Sequence, residues 1–145
     1  MFEEEQDNKI YNLIISRGID EENQYKFFTE RLYTKPEFLW TESLARDYAP
    51  FGENFFEKVD VIIILSGLYK DNKESIDVLV NKAEEFDIPI ILVRPYGMEL
   101  VPENLEEKAT TVVGWNANCM VDAIQTVVRG EYDWESPCDA MGKEE

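Results

Sequence analysis

Arg17 and Arg94 each close an apolar run of this sequence, and Ser16 and Ser66 stand in equivalent places. A guanidinium there can grip a phosphate or carboxylate with two parallel donors. Trp40, Tyr69, Tyr96 and Trp115 follow apolar runs in the same way, and a ring can stack on a base. Gly18 and Gly67 let backbone come close to a ligand, and Asn116 adds an amide. Together these residues describe a binder of an anionic, ring-bearing ligand, a nucleotide above all. The same residue types also serve as plain turns and lids after strands, and composition alone does not choose between the two.

Covalent and metal chemistry is more restricted. The chain contains no histidine. That removes Ser-His and Cys-His nucleophile pairs, histidine general bases and mixed zinc sites. Its two cysteines, Cys119 and Cys138, cannot build a four-cysteine zinc site, so no metal is expected.

The elements that would position these residues alternate. Ile10 to Ser16 reads as a first strand, and Asp20 can cap a helix through Tyr33 with Tyr25, Phe28 and Leu32 on one face. Phe38 to Trp40 gives a short second strand, and Thr41 to Pro50 lacks periodicity. Asn54 to Lys58 suggests a brief helix before Val59 to Tyr69, the central stretch, whose unbroken β-branched run is that of a strand buried on both faces. Asp71 or Asn72 then opens a helix to Phe86 with Ile76, Leu79, Val80 and Ala83 inward. Ile88 to Val93 is the fourth strand, Pro102 to Lys108 a short helix, and Thr110 to Gly114 the fifth strand. Asn116 or Asn118 opens a last helix that Gly130 ends.

Five strand-helix alternations predict an α/β, three-layer, flavodoxin-like fold with a five-stranded parallel sheet. Ligands of such folds sit at the carboxyl ends of the strands. That gathers Ser16-Arg17-Gly18, Trp40-Thr41-Glu42, Ser66 to Tyr69, Arg94 to Gly97 and Gly114-Trp115-Asn116 at one edge. FMN does not fit: the first such loop, Ser16 to Asp20, carries one hydroxyl and an arginine. A phosphoacceptor receiver does not fit either, because the third strand ends in Ser66 and the fourth in Arg94. Asp20, Glu21 and Glu22 read instead as a helix amino terminus, whose dipole favours them. There is no dinucleotide fingerprint and no P-loop spacing.

The charge bounds the partners. Against 31 Asp and Glu stand 14 Lys and Arg, a formal net charge of -17. Nucleic acid and anionic membrane surfaces are disfavoured. A self-repelling soluble surface explains the acidity, and a basic protein partner is the alternative. The expected organisation is an acidic tail over 1–9, one domain over 10–130 and an acidic tail over 131–145. Tyr132 and Trp134 in the latter are candidates to anchor a partner or to fold back on the domain, the second being the favoured expectation. No signal peptide or transmembrane segment is read in the sequence, which sets the expectation of a cytoplasmic protein with both thiols reduced.

The order of these pieces resembles a known family. Phe55 to Asp60 leads into the central strand and Ser66 to Tyr69; then come Ile88 to Gly97, Val101-Pro102, Val113 to Asn116 and Val121 to Ile124. From about Ile10 to Val128 the chain resembles the small stand-alone TIR-like proteins of bacteria and archaea. The resemblance implies a flavodoxin-like TIR fold, a role in defence signalling of the kind seen in Thoeris antiphage systems, and NAD or an ADP-ribose derivative as ligand. It implies assembly through homo-oligomers or TIR–TIR contacts. Active members cleave the nicotinamide–ribose bond of NAD and can cyclise the product. They use a glutamate on the helix after the third strand, one turn past a tryptophan, to steady an oxocarbenium-like ribose. Here those two positions are Ser75 and Leu79. Glu74, or Glu42, is the carboxylate that could take the missing role.

Overall fold

The computed structural model describes residues 9–16, 23–43, 56–70, 72–94 and 101–129. Its centre is the strand β3 (Val61–Leu65), five aliphatic residues that are all buried. β1 (Tyr11–Ile15) flanks it on one side and β4 (Ile90–Val93) on the other, with β2 (Trp40–Glu42) and β5 (Thr111–Val113) at the two edges. The order is β2-β1-β3-β4-β5, and every pairing is parallel. Parallel ladders need covering on both faces, which is why β3 and β4 show no polar alternation.

Among the described residues, four helices of six residues or more provide the cover: α1 (Gln24–Tyr33), α2 (Lys73–Phe86), α3 (Glu103–Lys108) and α4 (Ala117–Arg129). The chain moves outward from β1 to β2, then crosses to β3 and moves the other way. Right-handed crossovers in opposite directions put their helices on opposite faces. α1 packs beside α4 on one face. On the other, the Lys108 ammonium of α3 reaches the Glu84 carboxylate of α2. This is the flavodoxin-like three-layer arrangement.

Local chemistry sets the helix ends. Asn116 Oδ1 accepts the Cys119 amide at 3.1 Å, so Asn116 caps α4. Asn72 stands at the cap position of α2, but its side chain donates back to the Leu68 carbonyl at 2.9 Å and closes the turn after β3. Asp87 ends α2 in the left-handed region, at φ 58°, and the Ile88 amide returns to the Ala83 carbonyl at 2.8 Å. The first helix begins at Gln24, behind Asn23 in the left-handed region; Asp20 lies outside the described residues.

The second strand needs a correction. It runs over Trp40–Glu42 and not Phe38 to Trp40, so Thr41 and Glu42 leave the expected loop. Pairing decides this, since Trp40 lies opposite Tyr11 and Glu42 opposite Leu13. Phe38 is spent before the strand, stacked on Tyr11 with centroids 5.2 Å apart. No described helix is long and apolar enough to cross a membrane.

Candidate functional site

Strand order defines where a ligand could enter. The chain reverses direction between β1 and β3, and in open parallel sheets the carboxyl side of that reversal is a crevice. Ser16 and Ser66 stand there, and both are buried. Ser16 Oγ accepts the Leu65 amide at 3.0 Å, and Ser66 Oγ donates to the Val93 carbonyl at 2.7 Å. These hydroxyls stitch neighbouring strand ends together. They shape the floor of the crevice and leave its polar contacts to other groups.

Gly67 follows, and its missing side chain matters. A β-carbon there would come within 2.6 Å of Gln24 Oε1, so the buried Gln24 amide occupies the space. Gln24 opens α1 and brings that helix against the end of β3. Gln24, Phe28 and Arg31 share one helix face at i, i+4, i+7 spacing. The sequence reading took only the apolar stripe from this helix and missed the two polar residues beside it.

Tyr69 is expected at the edge as a stacking ring, but its hydroxyl is already engaged. It donates to Asp77 Oδ1 at 2.9 Å and accepts from Asn104 Nδ2 at 2.8 Å, tying α2 to α3. The ring itself is buried.

Arg94 and Trp115 form the other half of the edge. The Arg94 amide donates to the Val113 carbonyl at 2.9 Å, and the Trp115 indole donates to the Arg94 carbonyl at 2.8 Å. That pair of bonds fixes the chain beyond β4 against the chain beyond β5. The Arg94 side chain is half-buried and enters no ion pair among the described residues. Arg31 lies over the Trp115 ring at 5.6 Å, and its Nε donates to the Trp115 carbonyl at 2.8 Å. Asn116 is exposed and caps α4, whose first turn points its amides to this edge.

Trp40 is not with them, which corrects its place among the edge residues. It is in register with Tyr11, five residues before Ser16, so it sits roughly 16 Å down the sheet at 3.3 Å per residue. Its neighbour is Tyr33, centroid to centroid 5.5 Å. Arg17, Gly18 and Tyr96 lie outside the described residues.

The helix after β3 holds the carboxylate positions. Leu79 is 1% exposed and packs into the core between Ile76 and Ala83. Glu74 is exposed in the first turn of α2, near the carboxyl edge. Glu42 closes β2 and accepts a hydrogen bond from the Tyr25 hydroxyl. No group of three or more metal-ligating side chains occurs among the described residues.

At the opposite, amino edge of the sheet lies a cavity of about 460 Å³, walled by Phe56, Val59, Phe86, Ile88 and Val127. Glu57, Asp60, Asp87 and Arg129 stand around it, and Asp60 is already held by the Asn12 amide and Lys9. This cavity shares no residue with the carboxyl edge.

Cys119 also departs from expectation. It is disulfide-bonded, not a reduced thiol. The expectation of reduced thiols rested on compartment alone. The other cysteine of the sequence, Cys138, lies outside the described residues.

No protein-family model matches the chain, and no curated protein matches it.

Proposed function

We propose that this chain is a TIR-like protein of bacterial or archaeal defence signalling that binds a nucleotide, NAD or an ADP-ribose derivative, at the carboxyl edge of its sheet. The observation that carries the reading is the Arg94–Trp115 corner. A half-buried guanidinium without an ionic partner among the described residues stands beside an indole and a capped helix amino terminus. A phosphate would meet the guanidinium and the first-turn amides of α4. Arg17, which follows β1 in the sequence and lies outside the described residues, is the second cation of this reading.

The chain binds without turnover on this reading. Leu79 fills the position where active relatives of the resembled family place their glutamate, and it is enclosed by core. With no histidine in the sequence, no imidazole is at hand to act as a general base. Homo-oligomeric TIR–TIR assembly, or a basic protein partner drawn by the net charge of -17, would transmit the bound state.

A second reading, an NAD glycohydrolase or ADP-ribosyl cyclase, has one observation in its favour. Glu74 is exposed in the first turn after β3. Incubating purified protein with NAD separates the two readings. Binding without nicotinamide release supports the first. Release that is lost in Glu74→Gln or Glu42→Gln supports the second.

A further inference from the structure

The amino edge of the sheet carries a second concave site. Its cavity of about 460 Å³ falls within the range of small-molecule sites, roughly 300–1,000 Å³. The buried residues Phe56, Val59, Ile88 and Val127 wall it. Phe86 completes the wall, stacked on Phe56 with ring centroids 5.5 Å apart. Such walls take an apolar body.

Three features set the charge that the polar end of an occupant must carry. First, α2 ends at Phe86 and α4 at Arg129, so the carboxyl ends of the two longest described helices meet at the cavity. Each brings the negative end of a helix dipole, about half a charge. Second, Glu57 and Asp87 stand on the rim, exposed, and enter no ion pair among the described residues. Asp60 adds less, because the Asn12 amide and the Lys9 ammonium already hold its carboxylate. Third, the ring pair already takes a cation. The Lys82 ammonium lies 5.8 Å from the Phe56 centroid and 5.9 Å from that of Phe86. Arg129 is a cation on the rim, and two carboxylates with two helix ends outweigh it.

We propose that this cavity binds a small organic cation. The ligand is an amine whose apolar body lies against the Phe56–Phe86 pair and whose ammonium stays at the rim with Glu57 and Asp87. The site shares no residue with the carboxyl edge, so it does not rest on the nucleotide reading.

The test titrates three compounds of one shape into the full chain: phenethylamine, the neutral phenethyl alcohol and the anion hydrocinnamate. Amide chemical shifts are followed by NMR. Phenethylamine should shift the amides of Val59, Ile88 and Val127 saturably. The alcohol should bind roughly three- to tenfold more weakly, and the anion more weakly still. A double variant, Glu57→Gln with Asp87→Asn, should bind the amine no better than the parent binds the alcohol. Both positions are exposed, and asparagine tolerates the left-handed backbone at 87, so the fold is kept. No saturable shift with phenethylamine, or shifts centred on Arg94 and Trp115 instead, overturns the proposal. So does equal affinity for the alcohol, or an unchanged amine affinity in the double variant.

Discussion

Gly67 and Gln24 meet across the end of β3, and a β-carbon on Gly67 would lie 2.6 Å from Gln24 Oε1. The side chain of one residue fills the space left by the other, and in doing so holds the start of α1 against the central strand. Gly67→Ala should therefore displace a buried amide and cost about 1–3 kcal/mol. Gln24→Ala should remove most of that added cost, so the double variant should be more stable than the sum of the singles predicts. Denaturant unfolding of the four proteins measures the coupling. Strict additivity would show that the contact carries no energy.

Leu79 is core, and its substitutions should behave as core substitutions. Leu79→Ala should lose about 2–5 kcal/mol. Leu79→Glu, which restores the carboxylate of the resembled family, should unfold the domain and yield no NAD cleavage, because an ionised group would be buried with no partner. Circular dichroism and nicotinamide release read the two effects. A folded, active Leu79→Glu protein would place this residue in the site after all.

Tyr69→Phe removes one hydroxyl from two hydrogen bonds, to Asp77 and from Asn104. The expected loss is roughly 1–2 kcal/mol of stability, with nucleotide affinity unchanged. A loss of affinity with stability intact would give the phenol a ligand-binding role instead.

The contact between α2 and α3 has a pH signature. The hydrogen bond from Lys108 to Glu84, and then the attraction between their charges, raise the Lys108 pKa above its ordinary value. A raised pKa in the folded state means the contribution is present below the ordinary lysine pKa. It is lost as pH rises through the folded value. The Lys108 ammonium, followed by NMR, should titrate lower in Glu84→Gln than in the parent protein. An identical titration would mean that the contact does not persist in solution. The pair is exposed, so its effect on stability should be small.

Much of this architecture was legible in the sequence. The β-branched run of Val61–Leu65 marked the central strand, and the Ile76-Leu79-Val80-Ala83 stripe marked α2, because burial on two faces and on one face leaves different periods. The edge strand β2 was misplaced by two residues. Phe38 has the same apolar character as a strand residue, and only pairing with Tyr11 shows that it precedes the strand. Trp40 was assigned to the wrong end of the sheet for the same reason. Of the candidate site, Arg94, Trp115 and Asn116 were placed correctly at the carboxyl edge by following the strand ends. The hydroxyls of Ser16, Ser66 and Tyr69 could not be sorted from sequence, since their partners are a backbone amide, a backbone carbonyl and two side chains, 8 and 35 residues along the chain. Gln24 and Arg31 were missed, although both flank the apolar stripe of α1 at helical spacing.

Calorimetric titration of ADP-ribose into the purified protein, its Arg94→Ala variant and its Trp40→Ala variant tests the central claim most directly. The proposed site predicts saturable binding by the parent, and a loss of at least about tenfold in affinity without Arg94, given 1.5–3 kcal/mol for a hydrogen bond to a charged group. It predicts little change without Trp40, which stands at the other end of the sheet. No binding by folded parent protein, or equal affinity in Arg94→Ala, would contradict a nucleotide site at this edge.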